Sequence, residues 1–353
     1  MAVDLAAALR ARGHVVDELR LAPPPLAEAR SLALRVVKHT MRAVLKGQVH
    51  HSPGGVDANH IHSIAAALGG ALLDIARTGP TLWTVHDFAA VCPRSTLLRA
   101  SGNFCSSSPL ICRAWSRLFR RFIPLLRGVV WPSLFIRNEY ARRLERLPAI
   151  EEVIPNAPPA DIVGESTLDA WRPTDRVRVA MVGQLASHKG TLVALEAAEH
   201  CRAAGWEGQL EFAGRGPLEP VVQSAVTRLP RLVHAHGQLS RAGVRDLLTA
   251  VDAVILPSVW PENAPMILQE AAALGCSVVA SDVGGVREAL ALLPIGSSSL
   301  VPSGDSRALA HTVLSLHRKT PSAIRVGLAW AQQRRRDYLT QYERIYQRVL
   351  GWS

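Results

Sequence analysis

The sequence predicts an α/β protein of two domains, each built on a parallel sheet covered by helices. The chain has 353 residues, which is too long for one ordinary domain. Because 48% of the residues are hydrophobic, both domains can bury full cores, and extensive disorder is excluded. In the second half, short β-branched runs alternate with longer helical patterns, which is typical of a doubly wound sheet.

The first half shows a similar but less regular alternation. A helical pattern covers residues 2–12 and ends at Gly13, and a basic helical stretch covers 26–46. Strands are predicted at 15–19, 81–84, 128–131 and 153–154. A further short strand is predicted to end at His60–His62, just before a helix at 64–77. A doubly wound domain should begin with a strand. Because this chain begins within a helical pattern, the sequence predicts that the opening strand and its turn are missing.

The second half contains six strand–helix units. The predicted strands are 177–182, 209–213, 232–236, 253–256, 277–280 and 299–301. The predicted helices are 191–203, 218–228, 241–249, 265–274, 285–290 and 306–318. Together they predict one doubly wound domain. The resulting organisation is a first domain at 1–155, a linker at 156–176, a second domain at 177–330 and a final helix at 331–353.

The basic residues are concentrated in the first half of the chain. Residues 1–150 hold 20 basic and nine acidic side chains, whereas 151–353 hold 20 of each, so the net charge of +11 lies in the first part. The excess peaks between Arg113 and Arg146, where Trp115, Phe119 and Phe122 interleave with arginines. This pattern fits an anionic membrane surface, an anionic substrate or solvated helix faces. No nucleic-acid-binding motif accompanies it, which argues against a nucleic-acid partner.

Neither a membrane span nor a secretory signal is evident, and five cysteines are too few for a disulfide scaffold. The sequence therefore predicts a cytoplasmic protein. Cys92, Cys105 and Cys112 lack the paired spacing of a zinc site, and the histidines near His60 and His62 are better explained as residues flanking a strand. We expect no metal site.

Ligands of open parallel sheets bind beyond the carboxyl ends of the strands, so the loops there carry the candidate site. After the strand at 177–182, the loop contains Gly183, Gln184 and Lys189 before a helix begins. Glycines allow close backbone approach, and a cation beside a helix N-terminus suits a phosphate or diphosphate. The loop Gly214-Arg215-Gly216-Pro217 can let a nucleotide lie against the backbone, or it can be a plain strand–helix turn.

The most informative segment is 257–271. Pro265 suits the first turn of a helix, which places Glu262 in the preceding loop and Glu270 about two turns inside the helix. The backbone from Asn263 through Ala264 and Pro265 to Met266 would carry free N–H groups toward the ligand. Such a pair of carboxylates can hold hydroxyl groups at two places, although each could also be an ordinary helix-start or surface acid.

These motifs resemble those of the retaining glycosyltransferases of family 4, which have the GT-B fold. Glu262 and Glu270 match the family's E-x7-E signature. The resemblance continues through Lys189-Gly190, Gly214-x-Gly216-Pro217, His236-Gly237 and the run from Asp282 to Glu288. In the first half it includes His86-Asp87-Phe88, Cys92-Pro93-Arg94 and Ile154-Pro155-Asn156.

The resemblance implies two Rossmann-like domains facing a cleft, with a C-terminal helix crossing back to the first domain. It implies that Lys189 contacts the diphosphate of a nucleotide-diphosphate sugar and that Glu262 lies near the sugar hydroxyls. By the same resemblance Glu270 binds the ribose, Gly214 and Gly216 line the nucleotide pocket, and Leu239 approaches the base. His86 would face the reacting centre from the acceptor domain. The catalytic candidates are therefore Glu262, Lys189 and His86.

The implied reaction transfers the sugar to the hydroxyl of a carbohydrate or lipid-linked acceptor with retention, in polysaccharide or glycolipid synthesis, without a metal or other cofactor. The protein would act in the cytoplasm, at the inner face of the membrane. The family often has an arginine where this chain has Gln184, and Arg215 could replace that cation. The family's first strand and Gly-rich turn are absent here. A nucleotide-sugar epimerase, a catalytically inactive sugar-nucleotide-binding protein and, more distantly, a dinucleotide oxidoreductase remain alternatives.

Overall fold

The computed structural model divides the protein into two compact units. The first comprises Met1–Pro155 with Tyr338–Ser353, and the second comprises Asn156–Asp337. The structure describes residues 2–16, 57–62, 76–99, 104–107, 109–120, 122–144, 146–162, 171, 175–294 and 296–351. The predicted helix 26–46, most of the predicted helix 64–77 and residues 17–19 of the predicted strand 15–19 lie outside these residues.

The first unit contains a four-stranded parallel sheet in the order β1-β2-β3-β4. The strands are β1 (Asn59–Ile61), β2 (Thr81–Thr84), β3 (Gly128–Trp131) and β4 (Ile150–Val153). All residues of β2 and β3 are buried, as expected of inner strands covered on both faces. Among the described residues, the helices that lie wholly within this unit are α1 (Ala2–Ala11), α2 (Leu110–Arg120) and α3 (Leu134–Ala141).

The first unit differs from the sequence prediction at several places. Val15 and Val16 are not in a strand, and the strand expected at 153–154 instead covers Ile150–Val153, where it pairs with β3. The helices α2 and α3 were not predicted, because arginines interrupt the apolar pattern of their sequences. Ser133 begins α3 as its N-cap, and its hydroxyl accepts a hydrogen bond from the Ile136 N–H.

The aromatic residues among the arginines face the interior. Trp115, Phe119 and Phe122 are buried in the core of the first unit, and the Trp115 indole donates a hydrogen bond of 2.7 Å to the Ala89 carbonyl. Along a helix, residues near in sequence can point to opposite sides, so within α2 Trp115 and Phe119 are buried while Arg113 and Arg117 are exposed. The expectation of aromatic residues interleaved on a basic surface is therefore wrong.

The second unit contains a six-stranded parallel sheet in the order β10-β9-β8-β5-β6-β7. Its strands are β5 (Arg178–Val182), β6 (Gln209–Ala213), β7 (Val233–Gly237), β8 (Ala253–Leu256), β9 (Ser277–Ser281) and β10 (Ser298–Val301). From β5 the order continues through β6 to β7 at one edge of the sheet, and from β8 it continues through β9 to β10 at the other edge. The topological switch point therefore lies between β5 and β8, where ligands of such sheets bind.

Six helices lie between these strands or before the last helix. They are α4 (Thr191–Ala203), α5 (Glu219–Arg228), α6 (Arg241–Ala250), α7 (Met266–Ala273), α8 (Val286–Leu290) and α9 (Ser306–Leu314). Most bounds agree with the prediction within one residue. The exception is α9, which ends at Leu314 because an irregular segment, 316–320, precedes the next helix.

The last helix, α10 (Pro321–Leu350), contributes to both units, the change occurring between Asp337 and Tyr338. It begins about ten residues earlier than expected, with Pro321 at its first position, where proline is favoured. In the first unit, its buried residues Tyr338, Tyr342, Ile345 and Val349 follow the three- and four-residue spacing of one helix face. The two parallel sheets confirm the predicted fold class.

In the part of the chain that the structure describes, we find no helix with the length and apolar character needed to cross a lipid bilayer.

Candidate functional site

The candidate site of the second unit is built where the loops after β5 and β8 meet. These two strands are parallel neighbours, with Val179 opposite Ala253. A Cβ on Gly190 would lie 1.8 Å from the Pro257 carbonyl oxygen, and Gly190 has a φ of +76°. Only glycine therefore allows the two loops to approach this closely. The close approach places Lys189, from the first loop, beside the second loop.

Lys189 and Glu262 form a direct ion pair in this loop arrangement. The Lys189 Nζ lies 2.7 Å from Glu262 Oε1, and the Ser258 hydroxyl donates to the same oxygen, also at 2.7 Å. Ser258 is fully buried and the Glu262 side chain is 8% exposed. Both donors act on one carboxylate oxygen, which fixes the plane of the carboxylate and leaves Oε2 as its second acceptor.

Aromatic rings flank the Lys189 ammonium. The Nζ atom lies 4.9 Å from the centroid of the Trp260 ring, within the range of a cation–π interaction. The His188 ring meets the Trp260 ring edge-on at 5.8 Å. Burial and the neighbouring Lys189 charge lower the pKa of His188. The ammonium is thus held between an acid and an aromatic face at the end of β5.

The loops after β5 and β6 are also joined by glycines. A Cβ on Gly214 would lie 1.8 Å from the Gly183 carbonyl oxygen, and one on Gly216 would lie 2.3 Å from the Leu185 carbonyl oxygen. The Leu185 N–H donates to the Arg215 carbonyl at 3.0 Å. These glycines are required by contact between the two loops, which is a structural reason for the motif independent of any nucleotide.

A third loop, after β9, holds the backbone of Glu262. The Gly285 N–H, just before α8, donates to the Glu262 carbonyl at 2.7 Å. Gly284 has a φ of +54°, and a Cβ there would lie 2.3 Å from the same carbonyl oxygen. Glu262 is therefore fixed through its side chain by the β5 and β8 loops and through its backbone by the β9 loop.

Glu270 lies within α7. Burial raises the pKa of the Glu270 carboxyl, and Arg241 partly opposes this effect. Arg241 itself forms two hydrogen bonds, of 2.8 and 2.7 Å, with the Asp161 carboxylate. No hydrogen bond links Glu270 to Lys189 or Glu262. The two predicted acids are thus not joined to each other by a hydrogen bond.

The remaining predicted residues of this site lie in or beside its loops. Gln184 and Arg215 are exposed, and Leu239 packs against the core of the second unit. The segment from Asn263 to Met266 is partly exposed, and Pro265 is the N-cap of α7 without a side-chain hydrogen bond. The Asn156 amide donates to the Ala264 carbonyl at 3.2 Å, which ties the predicted linker to this segment.

His86 belongs to the first unit and follows β2. Its Nε2 lies 3.1 Å from His62 Nδ1, and burial lowers its pKa to about 4. The neighbouring Asp87 carboxylate accepts from the Ala89 N–H at 2.8 Å, and the Tyr140 hydroxyl donates to the Asp87 carbonyl at 2.9 Å. The HD motif therefore forms a fixed turn after β2.

Sequence reasoning missed four contributors to these sites. Ser258 was part of the informative segment, but its contact with Glu262 depends on the path of the loop. The roles of Trp260 and Gly285 follow equally from loop geometry. His62 was interpreted only as a residue flanking a strand, although the pairing of β1 with β2 places it beside His86.

Within the described ranges, no group of three or more His, Cys, Asp or Glu side chains is arranged to hold a metal ion. All five cysteines are free thiols, of which Cys92, Cys201 and Cys276 are buried.

The positive charge of the arginine-rich stretch from Arg113 to Arg146 is partly neutralised by ion pairs with glutamates. Arg137 pairs with Glu151, and both Arg142 and Arg143 pair with Glu139. Arg113, Arg117 and Arg127 are exposed, and Leu110 at the start of α2 is 81% exposed. Arg142 and Arg146 are exposed as well, so exposed arginines remain at both ends of the stretch from Arg113 to Arg146.

Comparison with known proteins finds similarity to glycosyltransferases. Residues 176–319 match the family described as glycosyl transferases group 1. A phosphatidyl-myo-inositol mannosyltransferase of Mycobacterium leprae is 31% identical over 219 residues, covering 60% of this chain and 58% of that protein. The amylovoran biosynthesis glycosyltransferase AmsK of Erwinia amylovora is 30% identical over 43% of this chain and 39% of its own length. These matches thus span less than two thirds of either relative.

Solved structures resemble the whole chain. Sucrose-phosphate synthase of Thermosynechococcus elongatus has a TM-score of 0.64 at 18% identity, covering 100% of this chain and 93% of that one. HepE of Anabaena, in complex with UDP and glucose, has a TM-score of 0.58 at 20% identity, covering 81% of this chain and 77% of its own. These likenesses show the GT-B fold, and the family match confirms the resemblance that the motifs indicate.

Proposed function

Because residues 176–319 match the group 1 glycosyl transferase family, we propose that this protein transfers a sugar from a nucleotide-diphosphate sugar to an acceptor hydroxyl, with retention of the anomeric configuration. The observation that carries the proposal is the Lys189–Glu262 ion pair at the switch point of the six-stranded sheet. There, a cation and a carboxylate lie where such sheets bind ligands.

The arrangement suits an activated sugar. Lys189 would leave Glu262 to contact the diphosphate, since a phosphate oxygen offers a charge-assisted hydrogen bond of similar strength. Glu262 Oε2 would accept a hydrogen bond from a sugar hydroxyl. Glu270, whose carboxyl pKa is raised by burial, would accept from the ribose hydroxyls. The neighbour HepE, solved with UDP and glucose, supports a donor of this class.

The reaction that we propose is a front-face substitution. The bond from the anomeric carbon to the diphosphate breaks, and the acceptor oxygen bonds to the same face of that carbon. The acceptor proton passes to the departing phosphate. Lys189 and the helix N-termini behind the loops would stabilise the negative charge that develops on the diphosphate. No protein nucleophile is assigned.

We propose that this charge stabilisation requires no metal ion. Lys189 supplies the cation, and exposed Arg215 lies in the neighbouring loop. The test is to compare turnover with excess EDTA and with added Mg²⁺ or Mn²⁺. Equal rates are expected, and a rate that depends on the added metal would contradict this part of the proposal.

The acceptor that we propose is a carbohydrate or a lipid-linked hydroxyl in polysaccharide or glycolipid synthesis. The relatives support this class, since one is named for amylovoran biosynthesis and another for mannosyl transfer to phosphatidyl-myo-inositol. The exposed arginines of α2 would hold the protein at an anionic membrane surface on the cytoplasmic side. No observation favours an epimerase or an inactive binding protein over a transferase.

The test is incubation of the full chain with a panel of nucleotide-diphosphate sugars, with and without lipid-linked and oligosaccharide acceptors. We expect transfer from one donor, and NMR of the product should show the anomeric configuration of that donor. Isomerised donor without transfer would select an epimerase. Folded protein that neither binds nor consumes any donor would contradict the proposal.

A further inference from the structure

Trp260, in the loop after β8, lies against Lys189 of the loop after β5. The Lys189 Nζ lies above the Trp260 ring, 4.9 Å from its centroid. One residue earlier in each loop, the Val259 N–H donates to the His188 carbonyl at 3.0 Å. This backbone hydrogen bond joins the two loops beside the contact, so the fold itself holds the ammonium and the ring face together.

The Trp260 ring contributes its face to this contact and not its indole N–H. The Nε1 atom is buried, and it meets no hydrogen-bond acceptor among the residues that the structure describes. A buried indole N–H usually has such a partner. What the ring supplies here is therefore its negative π face, which attracts an ammonium group. Another aromatic ring should be able to replace it.

His188 does not supply a second charge to the same ring. Its imidazole meets the Trp260 ring edge-on, with the ring centroids 5.8 Å apart. Burial and the neighbouring Lys189 charge lower the pKa of His188, so its imidazole is neutral at pH 7. The charge that the Trp260 face attracts is therefore that of Lys189.

The ring holds Lys189 in a different way from the Glu262 carboxylate. Lysine carries its ammonium on a flexible four-carbon stem, and confining that stem costs conformational entropy. The ion pair, with Nζ 2.7 Å from Glu262 Oε1, keeps the ammonium in place only until another anion takes the position of the carboxylate. The ring face is uncharged and accepts no ordinary hydrogen bond, so the ammonium can bind an anion while it stays above the ring.

We propose that Trp260 is a positioning residue that keeps the Lys189 ammonium at the end of β5 while Lys189 exchanges Glu262 for the diphosphate of the donor. An ammonium that is already in place loses less freedom when the diphosphate binds, which favours binding. The exchange rests on the proposed glycosyl transfer. The contact between the ring and the ammonium does not depend on that function.

Two substitutions separate the aromatic face from the bulk of the side chain. Trp260→Phe keeps a ring beneath the ammonium, whereas Trp260→Leu keeps an apolar side chain without a π face. Trp206→Leu is the matched control, because Trp206 is also half-buried and packs against the core of the second unit. Trp206 precedes β6, so it lies at the opposite end of the strands from Lys189. Circular dichroism of the full-length variants checks that they fold.

The direct readout is the ε-methylene NMR signal of Lys189 in full-length protein labelled with ¹³C-lysine. The spectrum is simple, since the chain has four lysines, and the signal lost in Lys189→Arg assigns Lys189. Protons above an aromatic ring are shifted upfield by its ring current. We expect an upfield Lys189 signal in the wild type, Trp260→Phe and Trp206→Leu, and an ordinary lysine position in Trp260→Leu. An unshifted wild-type signal, or an unchanged signal in Trp260→Leu, would overturn the proposal.

The second readout is calorimetric titration with the nucleoside diphosphates ADP, CDP, GDP, UDP and dTDP as probes of the diphosphate. For a nucleotide that binds, we expect Trp260→Leu to raise the Kd about five- to tenfold, and Trp260→Phe and Trp206→Leu to stay within about threefold of the wild type. The wild-type Lys189 signal should remain upfield when the nucleotide is saturating. An unchanged Kd in Trp260→Leu, an equal rise in Trp206→Leu, or loss of the upfield shift on binding would overturn the proposal.

Failure of the proposed function would give a different result. Folded wild-type protein that binds none of these nucleotides would refute the proposed donor and, with it, the exchange of Glu262 for a diphosphate. The lysine signals of the wild type and of Trp260→Leu would still decide whether Trp260 positions Lys189.

Discussion

At the scale of single residues, the orientation of the Glu262 carboxylate depends on two hydrogen-bond donors that reach the same oxygen. Lys189 is available to move to a phosphate, because its side chain is 25% exposed. Ser258 is fully buried and cannot leave without disrupting the loop. The serine would therefore keep Glu262 oriented while Lys189 changes partner on binding of the donor.

Removal of this serine tests that account. Ser258→Ala should lower kcat/KM by roughly tenfold, since a hydrogen bond to a charged group contributes about 1.5–3 kcal/mol. Ser303→Ala is the matched control, because the Ser303 hydroxyl donates to the Ser258 carbonyl and not to Glu262. Steady-state kinetics with the identified donor measures both. Equal effects of the two substitutions would show that Ser258 acts only through loop stability.

The buried histidines predict how stability depends on pH. His62 and His86 have pKa values of about 3 and about 4 in the folded protein, below the 6.5 of an unfolded histidine. Below pH 6.5 the unfolded chain binds protons that the folded chain does not, so stability falls as the pH is lowered. Each residue should remove about 2 kcal/mol from the free energy of unfolding between pH 7 and pH 5.

Urea denaturation at pH 7 and pH 5 measures this loss in the wild type and in His86→Gln. The variant lacks one titrating imidazole, so its loss of stability between the two pH values should be smaller. An identical pH dependence in both proteins would mean that His86 is protonated as readily in the folded chain as in the unfolded one.

At the scale of elements, the site depends on how closely the loops after β5 and β8 approach. Gly190→Ala should destabilise the protein by about 3 kcal/mol, because the new Cβ meets the Pro257 carbonyl and the φ is positive. Gly205→Ala is the matched control, since Gly205 has a similar φ of +74° but nothing within 4 Å of its Cβ position. That control should lose only about 1–2 kcal/mol.

Thermal or urea unfolding measures the loss of stability in both variants. Titration with the donor measures a second effect, on binding. Gly190→Ala should also weaken donor binding, because displacement of the loop moves Lys189. Equal destabilisation by the two substitutions would show that the β5 and β8 loops are not in close contact.

Some elements could be predicted from the sequence and others could not. The strands β5 to β10 are short β-branched or small-residue runs, and their periodicity identifies them within about a residue. The helix α2 was missed because Arg113, Arg117 and Arg120 obscure its apolar face, and Trp115 was assigned to the surface for the same reason. Periodicity reports local pattern, whereas the burial of Trp115 depends on the sheet behind it.

The candidate site could be predicted only in part from the sequence. Lys189 and Glu262 follow neighbouring strands, so topology alone predicts that they lie near each other. The contact of Arg241 with Asp161 joins α6 to the predicted linker, and no sequence spacing predicts it. The hydrogen bond of His62 to His86 likewise depends on the pairing of β1 with β2.

At the scale of the whole molecule, the net charge of +11 and its concentration in the first half predict binding to anionic membranes. Substitution of Arg113 and Arg117 by glutamine should weaken binding to vesicles containing anionic lipid by about tenfold or more, since each basic residue near such a surface contributes about 1 kcal/mol. Arg231→Gln with Arg325→Gln is the control of equal charge, located in the second unit.

Sedimentation with vesicles at low and high salt measures this binding. Salt should weaken it, because exposed charges are screened. Equal binding of the two double variants would show that net charge, and not the surface formed by α2, attracts the protein to the membrane.

The central claim is that the second unit binds a nucleotide-diphosphate sugar through Lys189. Calorimetric titration of the full chain with a panel of nucleotide-diphosphate sugars tests it most directly, with Lys189→Ala beside Arg231→Gln as a control of equal charge. We predict that one donor binds the wild type and the control with a Kd of roughly 1 µM to 1 mM, and binds Lys189→Ala at least about tenfold more weakly. Binding that is undiminished in Lys189→Ala, or folded wild-type protein that binds no donor, would contradict the account.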